Sequence, residues 1–539
     1  MKKLFAILLA LAMLLSLAAC GGTTSSSSSS SSSSEDSSTP SDSESSEPSD
    51  SSEASTPAGD GRWDALQTTD ENFTLYVDFH TNTPSISEEP TEESPSVFNS
   101  TRYLTEDWLA DKPNVTVDWT RGKIMGTNEA MLEWLTIQMN ALTCPDILFA
   151  WGSMYAANGW YMVLDEVIES PNYYEPGNEH WKDMYPDYLW KDSMNVDSNE
   201  NIIAIPSTVY PGPPTAYYYN TDIFNEFGLT PTNDWDTFID MMLPVREAGY
   251  VAFAPASFID SGNWDMQFSL SPYYAAAFME DWDTDGDQIM SARETTRSIY
   301  NGLWYIETNP AVFEMWGHTK DKFKLLCEDG FETIDYWEPW RQGNVAIKEG
   351  GIWDFPTHLS DTNRTFEFDM MAPPVIQSSE LADIKVEFTE SGPYMPQPME
   401  SYNVLKADIQ NRPSYHEDYS VDFLKYMHTA ENFSMIVEER AGNGIGAMKG
   451  CAVPASLQDW VARSFPMKPT AAVGTTSTSG GAVSLSKTIE SWAKDMISDE
   501  EFKAEYDRII YEDLMTYIEE QDVEIGEDWE LFVPAAAES

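Results

Sequence analysis

Basic residues are scarce in this chain of 539 residues, where 30 lysines and arginines stand against 90 aspartates and glutamates and give a net charge of −60. Nucleic acid is therefore a poor candidate partner, because binding it requires a basic surface that displaces counterions. Long hydrophobic runs are also missing after the first 20 residues, so no transmembrane helix is predicted in the remainder. The acid excess by itself indicates a well-solvated surface.

Cysteine and histidine are few and do not form a metal-binding pattern. The four cysteines are Cys20, Cys144, Cys327 and Cys451, and no two of them have the CxxC spacing. Without Cys20 they could form at most one disulfide, so a disulfide scaffold is excluded. The six histidines show no HExxH or similar spacing, so no zinc site is predicted.

The first 20 residues form an export signal. Lys2 and Lys3 precede an apolar run over residues 4–15, which is too short to span a bilayer as a stable helix. The small residues before Cys20 make the segment resemble a bacterial lipoprotein signal with its lipobox. That resemblance implies cleavage before Cys20 and lipidation of its thiol, which would hold a soluble body at the extracellular face of the cell membrane. The alternative is an ordinary secretory signal with an incidental cysteine.

Residues 21–62 follow as a serine-rich segment with an unbroken serine run over residues 25–34. Such a composition offers almost nothing apolar to bury, so a disordered tether is predicted. The folded body is then expected over residues 63–539.

Strand and helix patterns alternate at the start of the body, which favours an α/β fold with a parallel sheet. The helix around Trp235 is expected to run to Gly249 with a kink at Pro244, and Thr221 is expected to cap the helix before it. A polar loop is expected at residues 474–481. The predicted strands are 73–77, 115–119, 145–152, 202–205 and 216–220, and the first predicted helices are 102–109 and 128–142.

A series of short motifs in a fixed order resembles the extracellular solute-binding proteins of carbohydrate ABC importers, family one. They include Pro145-Asp146-Ile147, Thr221-Asp222-Ile223-Phe224, Trp235-Asp236-Thr237-Phe238 and Gly350-Gly351-Ile352-Trp353. The resemblance implies an α/β, two-lobed periplasmic-binding-protein fold, type II-like, with a hinge and an inter-lobe cleft. The expected lobe I covers roughly 63–210 and 345–402, and lobe II roughly 211–344 and 403–539.

The same resemblance implies a function. The chain would be a membrane-anchored monomeric receptor that binds a sugar, particularly an oligosaccharide, and delivers it to the permease subunits of an ABC importer without acting as an enzyme. The alternatives are a secreted glycoside hydrolase, which would also carry aromatic rings and paired carboxylates, and a glycan-binding adhesin. No nucleophile elbow, catalytic triad order or internal repeat supports either alternative.

Sugars present hydroxyl groups around apolar faces, so the candidate ligand residues are aromatic rings and carboxylates at loop positions where the family has its cleft. For each ring, core packing is the competing interpretation. Trp151 and Trp353, each close to glycine in a loop, are the strongest candidates. The predicted ligand-binding residues are Trp151, Tyr210, Trp264, Asp265, Trp353, Asp354 and Tyr402.

One segment matches an EF-hand calcium loop. The spacing allows a short chain to wrap six or seven hard oxygen ligands around one ion. Gln288 stands where the pattern has glycine, which should weaken affinity. A structural Ca²⁺ is predicted, and the alternative is an acidic surface loop. The predicted ligands are Asp283, Asp285, Asp287, the backbone carbonyl of Ile289, Ser291 and Glu294.

Overall fold

The computed structural model describes residues 61–538 apart from 88, 90–96, 122–127, 150–155, 257, 271–281, 287–289, 377–397, 441–443 and 464–477. The signal segment with Cys20 and the tether up to residue 60 lie outside the described residues. No helix within the described ranges is both long and apolar enough to cross a membrane. All of the following concerns the compact unit Ala58–Ser539.

The strands form two main sheets. The described residues contain β1 Phe73–Tyr76, β2 Val115–Asp118, β3 Ile147–Phe149, β4 Ile205–Val209, β5 Thr215–Asn220, β6 Val251–Ala254, β7 Val345–Gly351, β8 Phe368–Met371, β9 Pro398–Val404 and β10 Ile445–Gly446.

The helices lie between the strands and after them. In the described residues they are α1 Ser100–Leu109, α2 Asn128–Ala141, α3 Asp165–Glu169, α4 Thr221–Phe227, α5 Trp235–Glu247, α6 Phe258–Trp264, α7 Ala292–Tyr300, α8 Pro310–Leu326, α9 Trp337–Arg341, α10 Phe355–Ser360, α11 Tyr415–Met427, α12 Ala430–Glu439, α13 Gln458–Val461, α14 Ser479–Ala493 and α15 Asp499–Glu520.

The first sheet combines parallel and antiparallel pairs. β1 pairs with β2 in parallel, and a parallel bridge between Val77 and Ile147 connects β1 to β3. β9 lies antiparallel between β3 and β4, and β10 borders β4. Since β3 and β4 both run antiparallel to β9, they are parallel to each other. The carboxyl ends of β1, β3 and β4 therefore lie at one edge.

The second sheet has the order β6-β7-β5-β8. β7 runs antiparallel to β5 and parallel to β6, and Thr215 at the start of β5 pairs with Gly351 at the end of β7. The carboxyl ends of β6 and β7 therefore lie at the edge where β5 begins.

The first sheet packs in one hydrophobic core and the second sheet in two, and among the described residues no core contains buried side chains of both sheets, so the cores define two lobes. Phe423 on α11 and Phe433 on α12 are buried with the first sheet, whereas Ile347 on β7 and Met371 on β8 are buried with the second. The lobe boundaries predicted from the sequence are therefore wrong for these segments. We call residues 61–209 and 398–448 the first lobe, and residues 215–376 and 457–538 the second lobe.

Three local predictions also need correction. The fourth strand begins at Ile205, where the prediction ended it, because Pro206 lies at an irregularity of the β4–β9 ladder and needs no hydrogen bond there. The cap of α4 is Asn220, whose side chain accepts from the backbone N–H of Asp222 and Ile223, and not Thr221. Helix α14 begins at Ser479, within the predicted polar loop.

Other predictions are confirmed. The predicted helix is α5, which contains Pro244 and runs through it to Glu247, whereas the kink at Pro244 stays a prediction. Cys144 and Cys327 are buried without a disulfide, and Cys451 is a half-buried free thiol. Burial raises the pKa of the Cys144 thiol to about 12, so it is an inert apolar side chain at neutral pH.

Candidate functional site

The two sheet edges that carry strand carboxyl ends meet at one crossover of the chain, residues 210–214. β4 ends at Val209 just before the crossover, and β5 begins at Thr215 just after it. Because Thr215 pairs with Gly351, the carboxyl end of β7 also lies beside the crossover. Open α/β sheets bind ligands outside the carboxyl ends of their strands, so this junction is the candidate site.

Three aromatic side chains meet at this junction, and we call them the aromatic trio. The ring centroid of Trp353 lies 6.0 Å from that of Tyr210 and 5.7 Å from that of Trp264. Tyr210 and Trp264 are half-buried, whereas Trp353 is 37% exposed. Three of the seven predicted ligand residues therefore converge, and they come from three separate segments of the sequence.

Two glycines allow Trp353 to take its place. A Cβ atom on Gly351 would come within 2.0 Å of the Trp353 ring, and one on Gly350 would lie 2.6 Å from Oδ2 of Asp354. The ring thus covers the backbone of the strand end that precedes it. The hydroxyl of Tyr218 fixes the same turn by donating to the carbonyl of Gly351 at 2.7 Å.

Asp354 supports this turn. Its Oδ2 accepts a hydrogen bond from the backbone N–H of Gly351 at 3.2 Å. Burial raises the pKa of the Asp354 carboxyl, although the ammonium group of Lys348 opposes that shift. Asp354 was predicted as an acceptor for ligand hydroxyls, and its bond to Gly351 shows that it also holds the one-turn helix that carries Trp353.

Asp265 is not a cleft residue, contrary to the sequence prediction. It is 1% exposed, and its carboxylate accepts from the Lys322 ammonium at 2.6 Å and from the Thr319 hydroxyl at 3.1 Å. Glu349 on β7 lies 3.8 Å from the same ammonium. Burial raises the pKa of Glu349 to about 7. One lysine therefore faces two buried carboxylates behind the aromatic trio.

Tyr402 is likewise a core residue rather than a ligand residue. It is fully buried, and its ring stacks on that of Phe79 with a centroid distance of 4.3 Å and an interplanar angle of 2°. Its hydroxyl donates to the Phe79 carbonyl at 3.1 Å. The ring therefore has no face left for a sugar.

A group of polar residues that the sequence analysis missed lies on the first-lobe side of the junction. We call Glu400, His80, Thr81 and Asn82 the polar cluster. Glu400 is 1% exposed and accepts from His80 Nδ1 at 2.8 Å, from the Thr81 hydroxyl, and from Asn82 Nδ2 at 2.9 Å. A signal was present in the sequence, since the glutamate stands in an otherwise uncharged strand and the other three follow β1.

The polar cluster is electrostatically linked to the aromatic trio. Burial, and after it the carboxylates of Glu400 and Asp192, raise the pKa of the Tyr210 hydroxyl. Glu400 also pairs with Thr208, two residues before Tyr210. The junction therefore combines flat apolar rings on one side with fixed hydrogen-bonding groups on the other.

Trp151, one of the two strongest sequence candidates, lies outside the described residues. The last described residue before it is Phe149, at the carboxyl end of β3, and the ring of Phe149 stacks on the His80 ring with centroids 4.4 Å apart. Strand β3 therefore ends beside the polar cluster.

The predicted calcium loop is described in part, since Asp287 and Ile289 lie outside the described residues. Carboxylate oxygens of Asp283, Asp285 and Glu294 lie within 4.8 Å of one another. The Asp285 carboxylate also pairs with the Lys191 ammonium at 2.7 Å.

The other two carboxylates are bonded within the loop itself. Glu294 Oε1 accepts from the Thr284 backbone N–H at 2.6 Å, and Asp283 Oδ1 accepts from the Gly286 N–H at 2.7 Å. Ser291 caps α7 with its hydroxyl in a capping box with Glu294.

A scan of family models and a search of curated proteins give no match to this chain. Solved structures do match. A chitin oligosaccharide binding protein is 16% identical with a TM-score of 0.56, over 82% of this chain and 99% of its own. A family 1 extracellular solute-binding protein from Bifidobacterium longum subsp. infantis is 14% identical with a TM-score of 0.52, over 81% and 99%.

A cyclic alpha-maltosyl-1,6-maltose binding protein from Arthrobacter globiformis is 14% identical with a TM-score of 0.50, over 83% of this chain and 99% of its own. Likeness at this level of identity establishes the fold. The chain has the two-lobed α/β fold of extracellular solute-binding proteins, and the fold predicted from the sequence is confirmed.

Proposed function

We propose that this protein is an extracellular carbohydrate receptor that binds a sugar, particularly an oligosaccharide, and hands it to the permease of an ABC importer. The observation that carries the proposal is the aromatic trio at the junction of the two sheets. Flat rings stack on the apolar faces of sugars, and fixed polar groups beside them accept and donate hydrogen bonds to hydroxyls. The structural neighbours whose names state a ligand bind saccharides.

The proposed role is binding without chemistry. Two carboxylates at the junction are already engaged, because Glu400 accepts from three donors of the polar cluster and Asp354 holds the Trp353 turn. A glycoside hydrolase would need two carboxyl groups placed on either side of a glycosidic bond. This arrangement favours a receptor over the hydrolase alternative.

A thermal-shift screen tests the proposal. The probes are chitotriose, xylotriose, maltotriose and galactose, each added to the purified body without its signal segment. A sugar that binds only the folded state raises the free energy of unfolding by mass action, by about 2.7 kcal/mol at 100 times its dissociation constant. The melting temperature rises as a result. We expect at least one oligosaccharide to raise it. No shift with any probe would count against a receptor for these sugars.

Membrane anchoring belongs to the same proposal. Lipidation of Cys20 would place the receptor at the extracellular face of the cell membrane, and the serine-rich segment would give it reach to the permease. A monomer suffices for this role, because both sheet edges and the aromatic trio come from one chain.

We further propose that the acidic loop binds Ca²⁺ as a structural ion. Support comes from the EF-hand spacing and from the convergence of Asp283, Asp285 and Glu294. Lys191 competes with the ion for Asp285. The ion would supply no catalytic chemistry, and its role would be to fix the loop that leads into α7.

A further inference from the structure

The backbone changes its helical type directly after Trp264. Helix α6 ends at Trp264, and Asp265–Leu270 continue as a π-helix, whose wider turns have i→i+5 hydrogen bonds. Such wide turns are rare, and they occur frequently at functional sites. Asp265 is the first residue of the π-helix, so the contacts that fix Asp265 also fix the end of α6 that carries Trp264.

Lys322 on α8 fixes Asp265 from inside the second lobe. Its ammonium group donates to Asp265 Oδ1 at 2.6 Å and to the hydroxyl of Ser261, one turn earlier on α6, at 3.1 Å. The hydroxyl of Thr319, three residues before Lys322, donates to Asp265 Oδ2 at 3.1 Å. Lys322, Ser261 and Thr319 are fully buried, so bulk water does not compete for these hydrogen bonds.

The ammonium group of Lys322 also reaches the strand that leads to Trp353. Its Nζ atom lies 3.8 Å from Glu349 Oε1 on β7. Glu349 stands two residues before Gly351, and the ring of Trp353 covers the backbone of Gly351. Lys322 therefore holds together the two segments that carry Trp264 and Trp353, whose ring centroids lie 5.7 Å apart.

Stability alone is a weak reason for this network. Taking an ammonium group and two carboxylates out of water is costly, and replacing a buried ionic group by apolar side chains of similar volume is often neutral or stabilising. Charged hydrogen bonds also have a direction, so they are satisfied in one arrangement of the elements that carry them. The contacts of Lys322 thus specify how α6 is placed against β7.

We propose that Lys322 is a positioning residue that sets the spacing between the rings of Trp264 and Trp353. It does so through its contacts with Asp265 and Glu349. The inference rests on the proposed function for its ligand, whereas the ring spacing itself does not depend on a sugar. A sugar that stacks on the aromatic trio would bind more weakly after the spacing changes, because the rings would have to be brought back into place.

The first experiment measures the ring environments without any sugar. The purified body is labelled with 5-fluorotryptophan, and the ¹⁹F signals of Trp264 and Trp353 are assigned by their loss in Trp264→Phe and Trp353→Phe. Thr319→Val keeps the size of the side chain and removes the hydroxyl that bonds Asp265. We expect both signals to shift in Thr319→Val. If both signals stay in place, the proposal is overturned, even where the melting temperature falls.

Neutralising the whole network is the stronger perturbation. Lys322→Met combined with Asp265→Asn and Glu349→Gln removes all three charges together, so no buried charge is left without a partner. Both ¹⁹F signals should shift further in this triple variant than in Thr319→Val. If the triple variant does not fold, Thr319→Val decides the outcome.

The second experiment measures binding, with the probe that gives the largest thermal shift among chitotriose, xylotriose, maltotriose and galactose. The triple variant should weaken binding about two- to tenfold, the range that one aromatic contact contributes. Thr319→Val should weaken it in the same direction and by less. Titration calorimetry of the folded variants measures both changes.

Lys320→Met is the matched control. Lys320 lies on the same helix two residues before Lys322, but its ammonium group lies 3.4 Å from Asp495 and 4.1 Å from the centroid of the Trp492 ring. The control should leave both ¹⁹F signals and the sugar affinity unchanged. Equal effects in Lys320→Met would show that any lost charge on α8 moves the rings, and would overturn the specific role of Lys322.

The outcomes distinguish the positioning role from the proposed function. Unchanged affinity in the network variants, while Trp353→Ala loses binding, overturns the role of Lys322 and leaves the proposed function standing. Absence of binding by every probe in the wild type overturns the proposed function for these sugars. The ¹⁹F signals decide whether Lys322 sets the ring spacing in either case.

Discussion

Trp353 is the residue on which the proposed sugar binding depends most. Its ring is 37% exposed, yet its position is fixed by Gly351 beneath it and by the contacts with Tyr210 and Trp264. A ring that is rigid before binding loses little conformational entropy when a sugar stacks on it.

Trp353→Ala should therefore weaken sugar binding by about 1 kcal/mol or more, which is at least about fivefold, because the stacking surface is removed. Isothermal titration with the best probe of the sugar panel measures the loss. Tyr103→Ala removes a ring that is 52% exposed on α1 of the first lobe and serves as the control. A large fall in melting temperature with unchanged affinity would instead assign Trp353 to the core.

Single residues also show how far sequence reasoning reaches. Trp353 and Tyr210 could be predicted because each follows a strand end next to glycine or proline. Asp265 could not, because successive residues of a helix point about 100° apart. Trp264 contacts the Trp353 ring, while its neighbour Asp265 points inward to Lys322.

The polar cluster illustrates the reverse case. Glu400 and Tyr402 are two residues apart on β9, so their side chains lie on the same face of the strand. The sequence located this segment near the hinge but selected Tyr402, which is buried, and not Glu400. The bonds of Glu400 to residues 80–82 join positions more than 300 residues apart, and no local pattern predicts them.

At the scale of elements, one buried ion network joins α6, α8 and β7 behind the aromatic trio. Lys322 bonds Asp265, the residue that follows α6, and lies 3.8 Å from Glu349 on β7, and all three are at most 1% exposed. Two carboxylates share a single ammonium group, so burial disfavours the ionised form of the second one.

This network predicts how stability depends on pH. The pKa of Glu349 is raised by burial from 4.5 to about 7 in the folded protein. The stability that protonated Glu349 contributes is therefore full below pH 4.5 and is lost as the pH rises through about 7. Between pH 5 and 8 the melting temperature of the wild type should fall relative to that of Glu349→Gln, which does not titrate.

Two buried histidines change the stability in the opposite direction as the pH rises. The wild type must therefore be compared with Glu349→Gln. Burial lowers the pKa of His358 to about 3 and that of His428 to about 4, so both favour the folded state less as the pH falls below their usual value. Both are present in the wild type and in Glu349→Gln, and their effect cancels in the difference. A pH-independent difference would contradict the assignment to Glu349.

The calcium loop gives a second prediction for an element. A chelator should lower the melting temperature of the body and millimolar Ca²⁺ should restore it. At about ten times the dissociation constant the stabilisation is about 1.4 kcal/mol. Glu294→Gln should abolish this response because it removes charge at the bidentate position, whereas Glu328→Gln, an exposed acid of the same lobe, should retain it. If the chelator leaves the melting temperature unchanged, the calcium site is contradicted and the loop is only an acidic surface loop.

Elements were predicted well where the pattern is local and less well where pairing is distant. The positions of α2 and β5 follow from periodicity in the sequence. The assignment of Val345–Gly351 to the wrong lobe has a different cause, since its partner β5 lies more than 100 residues earlier in the chain. The chain order alone does not state which sheet such a strand joins.

At the scale of the whole molecule, the proposed lipid anchor on Cys20 gives a prediction about where the protein is found. Cys20→Ala should move the protein from the membrane fraction to the medium, because the acyl chains are the proposed attachment. Fractionation and immunoblotting of the wild type and the variant measure this. Continued membrane association of the Cys20 variant, in cells that lack the importer permease, would contradict the lipoprotein interpretation.

The central claim is that the body binds a sugar at the junction of its lobes and releases it unaltered. Titration calorimetry of the purified body with the best probe, followed by chromatography of the recovered sugar, tests this most directly. The account predicts saturable binding of one sugar per chain, loss of affinity in Trp353→Ala, and complete recovery of the intact sugar after prolonged incubation. Cleaved sugar, or binding that Trp353→Ala leaves unchanged, would contradict it.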